Sequence, residues 1–142
     1  MPTLPDDFAP HPARDASLRS MEAVEAADRH GWLALFAPAA RVEDPIGESP
    51  LDPTGLGHAG PEAIGAFWDT VIGPNQVRFS IRESWAAGPE VANVGRISTT
   101  MADGLVVHTD GVFTYRVDDD GKLVALRAYW EMGRLVIEAP AG

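Results

Sequence analysis

The spacing of hydrophobic positions changes character along the chain. From Asp15, the residues Leu18, Met21, Val24 and Ala27 recur three residues apart, the interval of an amphipathic helix, with Asp15 or Ser17 placed to cap it and Gly31 interrupting. Trp32 to Phe36 forms a second short helix that stops before Pro38. A third begins at Pro61, shows Ile64, Phe67, Trp68 and Val71 or Ile72 on its apolar side, and ends at Gly73-Pro74. Beyond it the interval shortens to two. Val77, Phe79, Ile81 and Trp85 alternate with polar residues, and strands follow over 91–101, 105–117 and 122–130. Ala102-Asp103-Gly104 and Asp118-Asp119-Asp120-Gly121 separate these strands as hairpin turns. Arg41 to Asp44 reads as one more, brief strand, and Pro45 to Gly60 as a loop. The pattern predicts an α+β domain, three helices packed on one face of a mainly antiparallel sheet. Residues 1–14, with four prolines and no apolar period, read as a flexible segment ahead of a single domain over 15–142.

Composition narrows the chemistry. The chain has 142 residues, no cysteine, 11 basic and 21 acidic side chains, and a net charge of −10. Thiol nucleophiles, thiolate metal sites and disulfides are excluded. Such a charge repels nucleic acid and anionic lipid, so neither is expected as a partner. The single lysine, Lys122, sits beside a turn, a poor place for a Schiff-base amine. No apolar run approaches the roughly 18 residues of a membrane helix, and the first residues lack a secretory pattern, so a cytoplasmic protein is expected. Gly55-Leu56-Gly57-His58-Ala59-Gly60 matches a dinucleotide fingerprint in letters, but no strand precedes it and Asn75 stands where an acidic residue is required. The aspartates at 118–120 lack the spacing of a calcium loop, and the four histidines lack metal-ligand spacing. No cofactor and no metal are expected.

One carboxylate stands out. In Val42-Glu43-Asp44-Pro45-Ile46-Gly47, Asp44 ends a strand, and the following proline holds it in extended geometry. It either aims a carboxylate into the space between sheet and helices or closes an Asx turn. Strand alternation turns Glu43 the other way, toward solvent.

With these residues in view, the chain resembles the ketosteroid isomerase-like family of the nuclear transport factor 2-like superfamily. The resemblance spans about residues 15–135 and rests on Trp32-Leu33-Ala34-Leu35-Phe36, on Glu43-Asp44-Pro45-Ile46-Gly47, on the strand 111–117 and on Arg127-Ala128-Tyr129-Trp130. It implies a cone-shaped α+β barrel, a strongly curved sheet wrapped over helices around a deep apolar pocket, and a homodimer joined through the outer sheet face near residues 77–101. Asp44 falls on the family's general base, which in ketosteroid isomerases works beside a tyrosine and a protonated aspartic acid that hold the oxyanion. Ser20 falls where that tyrosine is found, and Phe113 where that aspartic acid is found. Tyr115 shares strand parity with Phe113 and is the best substitute donor, whereas Asp110 lies on the opposite face.

The inward parities make Phe67, Trp68, Phe113, Leu126 and Trp130, with Ser20, the expected substrate-binding wall, and Asp44 and Tyr115 the expected catalytic pair. By resemblance Phe67 and Trp130 match pocket positions, and Trp68 replaces a tyrosine that supports the oxyanion hole. A desolvated Asp44 would have a raised pKa, and the loop from Asp44 to Gly60 is a candidate flap. Three functions fit: a steroid delta-isomerase-like enzyme moving a proton alpha to a carbonyl, a polyketide cyclase-type enzyme, and a non-catalytic binder of a steroid-like or aromatic ligand. In each the partner is a small hydrophobic molecule.

Overall fold

Ala13, Ala16, Ser17, Ser20, Met21 and Val24 form one buried stripe along α1 (Pro12–Glu25), at the three- and four-residue spacing of a helix face. In the computed structural model, which describes residues 1–140, this stripe packs against the sheet. The helix starts earlier than its apolar period suggests. Pro12 occupies its first turn, and the His11 ring accepts the Ala13 N–H at 3.1 Å, so neither Asp15 nor Ser17 is the cap. Ala27 adopts a positive φ of 55° outside the helix and is exposed, so it does not belong to the stripe. The stretch read as flexible is tied down as well: Thr3 N–H donates to the Phe79 carbonyl at 3.0 Å and Ile81 N–H to the Thr3 carbonyl at 2.8 Å.

The second helix, α2 (Arg29–Leu33), also lies upstream of its expected position. Asp28 caps it by accepting the Gly31 N–H at 2.9 Å, which fixes its start. Phe36 therefore opens the strand β1 (Phe36–Glu43) instead of ending a helix. Pro38 has no N–H to give the ladder, and the pairing of β1 is irregular between Phe36 and Arg41. A two-residue strand, β2 (His58–Ala59), leads into α3 (Gly60–Phe67). From Trp68 the helix widens into a π turn over Trp68–Ile72, closed by Gly73 N–H donating to the Trp68 carbonyl at 2.7 Å.

The long strands are β3 (Gln76–Ala87), β4 (Glu90–Thr100), β5 (Val106–Val117) and β6 (Leu123–Tyr129). They form the sheet order β2-β1-β6-β5-β4-β3, with a short β7 (Val136–Glu138) paired to β5. The β1–β6 pair is parallel and the remainder antiparallel, so the sheet is mixed and does not close. Its curvature has a local cause. Gly95 of β4 pairs with Gly111 of β5 and with Ile81 of β3, beside a bulge between Ile81 and Glu83. A side chain at Gly95 would run into the Ser80 carbonyl, and one at Gly111 into the Tyr129 carbonyl, so the sheet folds over where side chains are absent. The bulge inserts one residue into β3 and reverses its parity. Trp85 therefore faces outward, 69% exposed, rather than joining Val77, Phe79 and Ile81 on the inner face.

A closed polar ring fastens α1 to the sheet. Arg14 Nε donates to Ser84 Oγ at 2.9 Å, Ser84 to Asn93 Oδ1 at 2.7 Å, Asn93 Nδ2 to Ser17 Oγ at 3.0 Å, and Ser17 back to the Arg14 carbonyl at 2.7 Å. Asn93 is fully buried. Asn93→Ala leaves the Ser84 hydroxyl without its acceptor, and a loss of about 1–3 kcal/mol is expected in chemical denaturation. An unchanged midpoint would show that the ring contributes nothing net.

Candidate active site

Helix α1, the α3 helix with its π turn, and the inner faces of β3, β4, β5 and β6 enclose a cavity of about 300 Å³ with predominantly apolar walls. Ser20, Asp44, Phe67, Phe113, Tyr115, Leu126 and Trp130 all line it, so the sequence-derived candidates converge on one space. Trp68 is the exception. One α-helical step beyond the lining Phe67, it turns off the cavity face into the core, where its ring lies 5.3 Å from that of Trp32, and the π turn that follows brings Val71 and Ile72 to lining positions.

Asp44 follows the end of β1, whose register against β6 places Glu43 opposite Arg127. That pairing corrects the expectation for Glu43, which is largely buried and meets Arg127 Nε at 3.0 Å instead of standing free in solvent. Beyond it the chain turns inward, held by Ile46 N–H donating to the Ala128 carbonyl at 3.1 Å. The Asp44 carboxylate receives one side-chain hydrogen bond, from Trp130 Nε1 at 2.6 Å on Oδ1. Burial pushes its carboxyl above the ordinary carboxylate range, and the Trp130 bond and the nearby His58 pull back without cancelling the rise.

Tyr115 shares the cavity with it. Desolvation first, and the Asp44 charge second, push the phenol well above the usual tyrosine range, with Ser20 acting in the opposite direction. Tyr115 therefore remains a protonated donor at any physiological pH. Ser20 accepts the Trp32 indole N–H at 3.0 Å, which leaves its own hydroxyl proton to be donated. Ser20 and Tyr115 thus bring two hydroxyls to the cavity that holds the carboxylate, with Ser20 fixed by Trp32.

Several lining residues lay outside the sequence reading. Trp32, read only as the start of a short helix, is 1% exposed and carries the donor to Ser20. His58 does not line the cavity but stacks its ring 4.9 Å from that of the lining Phe67 and acts on the Asp44 charge from there. Leu51 comes from the 44–60 loop, and Met132 and Leu135 from the segment around β7. That loop is built around its own carboxylate. Asp52 is 7% exposed and accepts from Thr54 Oγ1 at 2.8 Å and Gly57 N–H at 2.7 Å, which holds it below the ordinary range. Asp110 points out of the cavity into a two-bond ion pair with Arg96 at 2.9 Å, as its parity requires.

Comparison with known proteins identifies the family and the fold. The model of the SnoaL-like domain family matches residues 18–126. A steroid delta-isomerase of Nocardioides simplex is 29% identical over 123 residues, covering 86% of this chain and 92% of that protein. The crystal structure of a delta 5-3-ketosteroid isomerase from a Mycobacterium species superposes with a TM-score of 0.86 at 43% identity, covering 89% of this chain and 98% of that one. A Mycobacterium tuberculosis protein in complex with estradiol-17beta-hemisuccinate superposes with a TM-score of 0.85 at 38% identity, covering 89% and 99%. The chain belongs to the SnoaL-like domain family, in the ketosteroid isomerase-like part of the nuclear transport factor 2-like superfamily.

Proposed function

We propose that this protein is a steroid delta-isomerase-like enzyme in which Asp44 moves a proton alpha to a carbonyl of a flat, apolar substrate. The observation that carries the reading is a single carboxylate with a raised pKa, held by one indole N–H in an otherwise apolar cavity. Trp130 occupies Oδ1, which leaves Oδ2 to accept the proton. As the C–H bond breaks and the O–H bond forms on Asp44, the electron pair passes into a dienolate whose oxygen lies against the Tyr115 hydroxyl. The neutral Asp44 then returns the proton to another carbon, and the ketone re-forms. A base whose pKa is raised toward neutrality both accepts and returns a proton readily.

Tyr115 and Ser20 replace the family's usual donor pair in this scheme. Tyr115→Phe keeps the ring and removes the hydroxyl, so it is expected to lower kcat by about 10²–10³-fold with little change in ligand affinity. Growth of conjugated-enone absorbance from a 5-ene-3-ketosteroid measures it. A rate within a few-fold of wild type would remove Tyr115 from the reaction. The homodimer belongs to the same proposal: the outer sheet face carries Trp85 and Tyr129, 69% and 49% exposed, and a second copy would cover them.

A further inference from the structure

The cavity is polar at both ends, and Asp44 explains only one of them. Away from Tyr115, the lining residues of β5 continue through Phe113 to Thr109 and Val107, and those of β4 include Ile97 and Thr99. Thr99 pairs with Val107 and Thr109 with Ile97, which makes the two threonines diagonal neighbours on the inner face. Such neighbours lie roughly 7–8 Å apart, enough for one ligand oxygen to sit between their hydroxyls. Among the described residues neither hydroxyl is engaged by another group of the protein, unlike Thr70, which donates to the Ala66 carbonyl at 3.0 Å. Asn75 stands at the same end, because Val77 pairs with Thr99. Its Nδ2 donates to the Val71 carbonyl at 2.9 Å, which leaves the amide oxygen as an acceptor.

Both threonines are half-buried, so a ligand seated against them would take their hydroxyls out of water and must supply a hydrogen bond in return. Their distance from the chemistry suits a rigid ligand. Thr109 is four residues from Phe113, about 13 Å along the strand at roughly 3.3 Å per residue and less through space, because the strand bends at Gly111 between them. Phe113 is at the Asp44 end, opposite Ala128, whose carbonyl accepts the Ile46 N–H.

We propose that Thr99 and Thr109 form a distal polar subsite for an oxygen function at the far end of the ligand. This rests on the reading that the Asp44 end receives a ketone. The test uses two conjugated 4-ene-3-ketosteroids that do not turn over and differ only in a 17β-hydroxyl, with affinities measured by titration. Wild type is expected to bind the hydroxylated compound about three- to tenfold more tightly, the yield of one or two neutral hydrogen bonds. Thr99→Val combined with Thr109→Val should bring that ratio close to one without weakening the deoxy compound. Thr99→Ser with Thr109→Ser, which keeps both hydroxyls, should preserve it. A wild-type ratio of one, or a ratio that survives the valine pair, overturns the subsite while leaving the steroid pocket standing. Failure of both compounds to bind wild type overturns the pocket reading as well.

Discussion

Asp44→Asn is expected to lower turnover of a 5-ene-3-ketosteroid by about 10²–10⁴-fold and to make the folded protein more stable at neutral pH. Both effects have one origin. The cavity keeps a carboxylate in apolar surroundings, so its pKa in the folded state lies above the ordinary 3.8. A carboxyl whose folded pKa is raised adds no penalty while it is protonated in both states. As pH climbs through 3.8 toward the folded value, the unfolded chain ionises first and stability falls. Asparagine has the same shape, keeps an oxygen for the Trp130 N–H, and carries no charge. The Tm difference between variant and wild type should therefore be small in acid, open above about pH 4 and hold its full size once the folded carboxyl has ionised. The wild-type rate should follow the same titration, falling in acid with an apparent pKa above 3.8. Equal background rates for the two proteins would exclude the isomerase reading for that substrate. Steroid-induced stabilisation surviving in Asp44→Asn alongside such equal rates would identify a binding protein.

Trp32→Ala is expected to cost about 3–5 kcal/mol, the range for deleting a buried aromatic side chain. Trp32 is 1% exposed, with the Phe36 ring 4.7 Å and the Trp68 ring 5.3 Å away. Its removal enlarges the cavity, which Trp32 lines, and opens the core next to it. Trp32→Phe separates packing from polarity, because it retains most of the ring volume and loses only the N–H donated to Ser20. It should cost much less in urea denaturation, about 1 kcal/mol for the hydrogen bond, yet still reduce kcat through Ser20 and Tyr115. If Trp32→Ala shifts the denaturation midpoint no more than Trp32→Phe does, the aromatic cluster is not a principal support of this fold.

Asp44 was legible because a strand end followed by proline is a strong local constraint on a side chain's direction. The inward parity of Phe113, Tyr115 and Leu126 was legible for a similar reason: long antiparallel strands repeat every two residues until something interrupts them. Where an interruption occurs, the sequence carries little sign of it. One inserted residue after Ile81 turns Trp85 to the outside, and one widened turn from Trp68 brings both Val71 and Ile72 to the cavity. The three residues of β7 are too few to show a period, so the contribution of Met132 and Leu135 beside them was invisible. The indole N–H groups of Trp32 and Trp130 find Ser20 and Asp44 only after the chain has brought residues 12 and 86 positions apart together.

The crease at Gly95 and Gly111 divides β5 into two arms. Phe113 and Tyr115 ride on one arm and Thr109 and Val107 on the other. The spacing between the two ends of the cavity therefore depends on the backbone at two glycines that do not themselves line it. The crease works as the joint of a caliper: the rings line the jaws, and the two glycines decide how far apart the jaws stand.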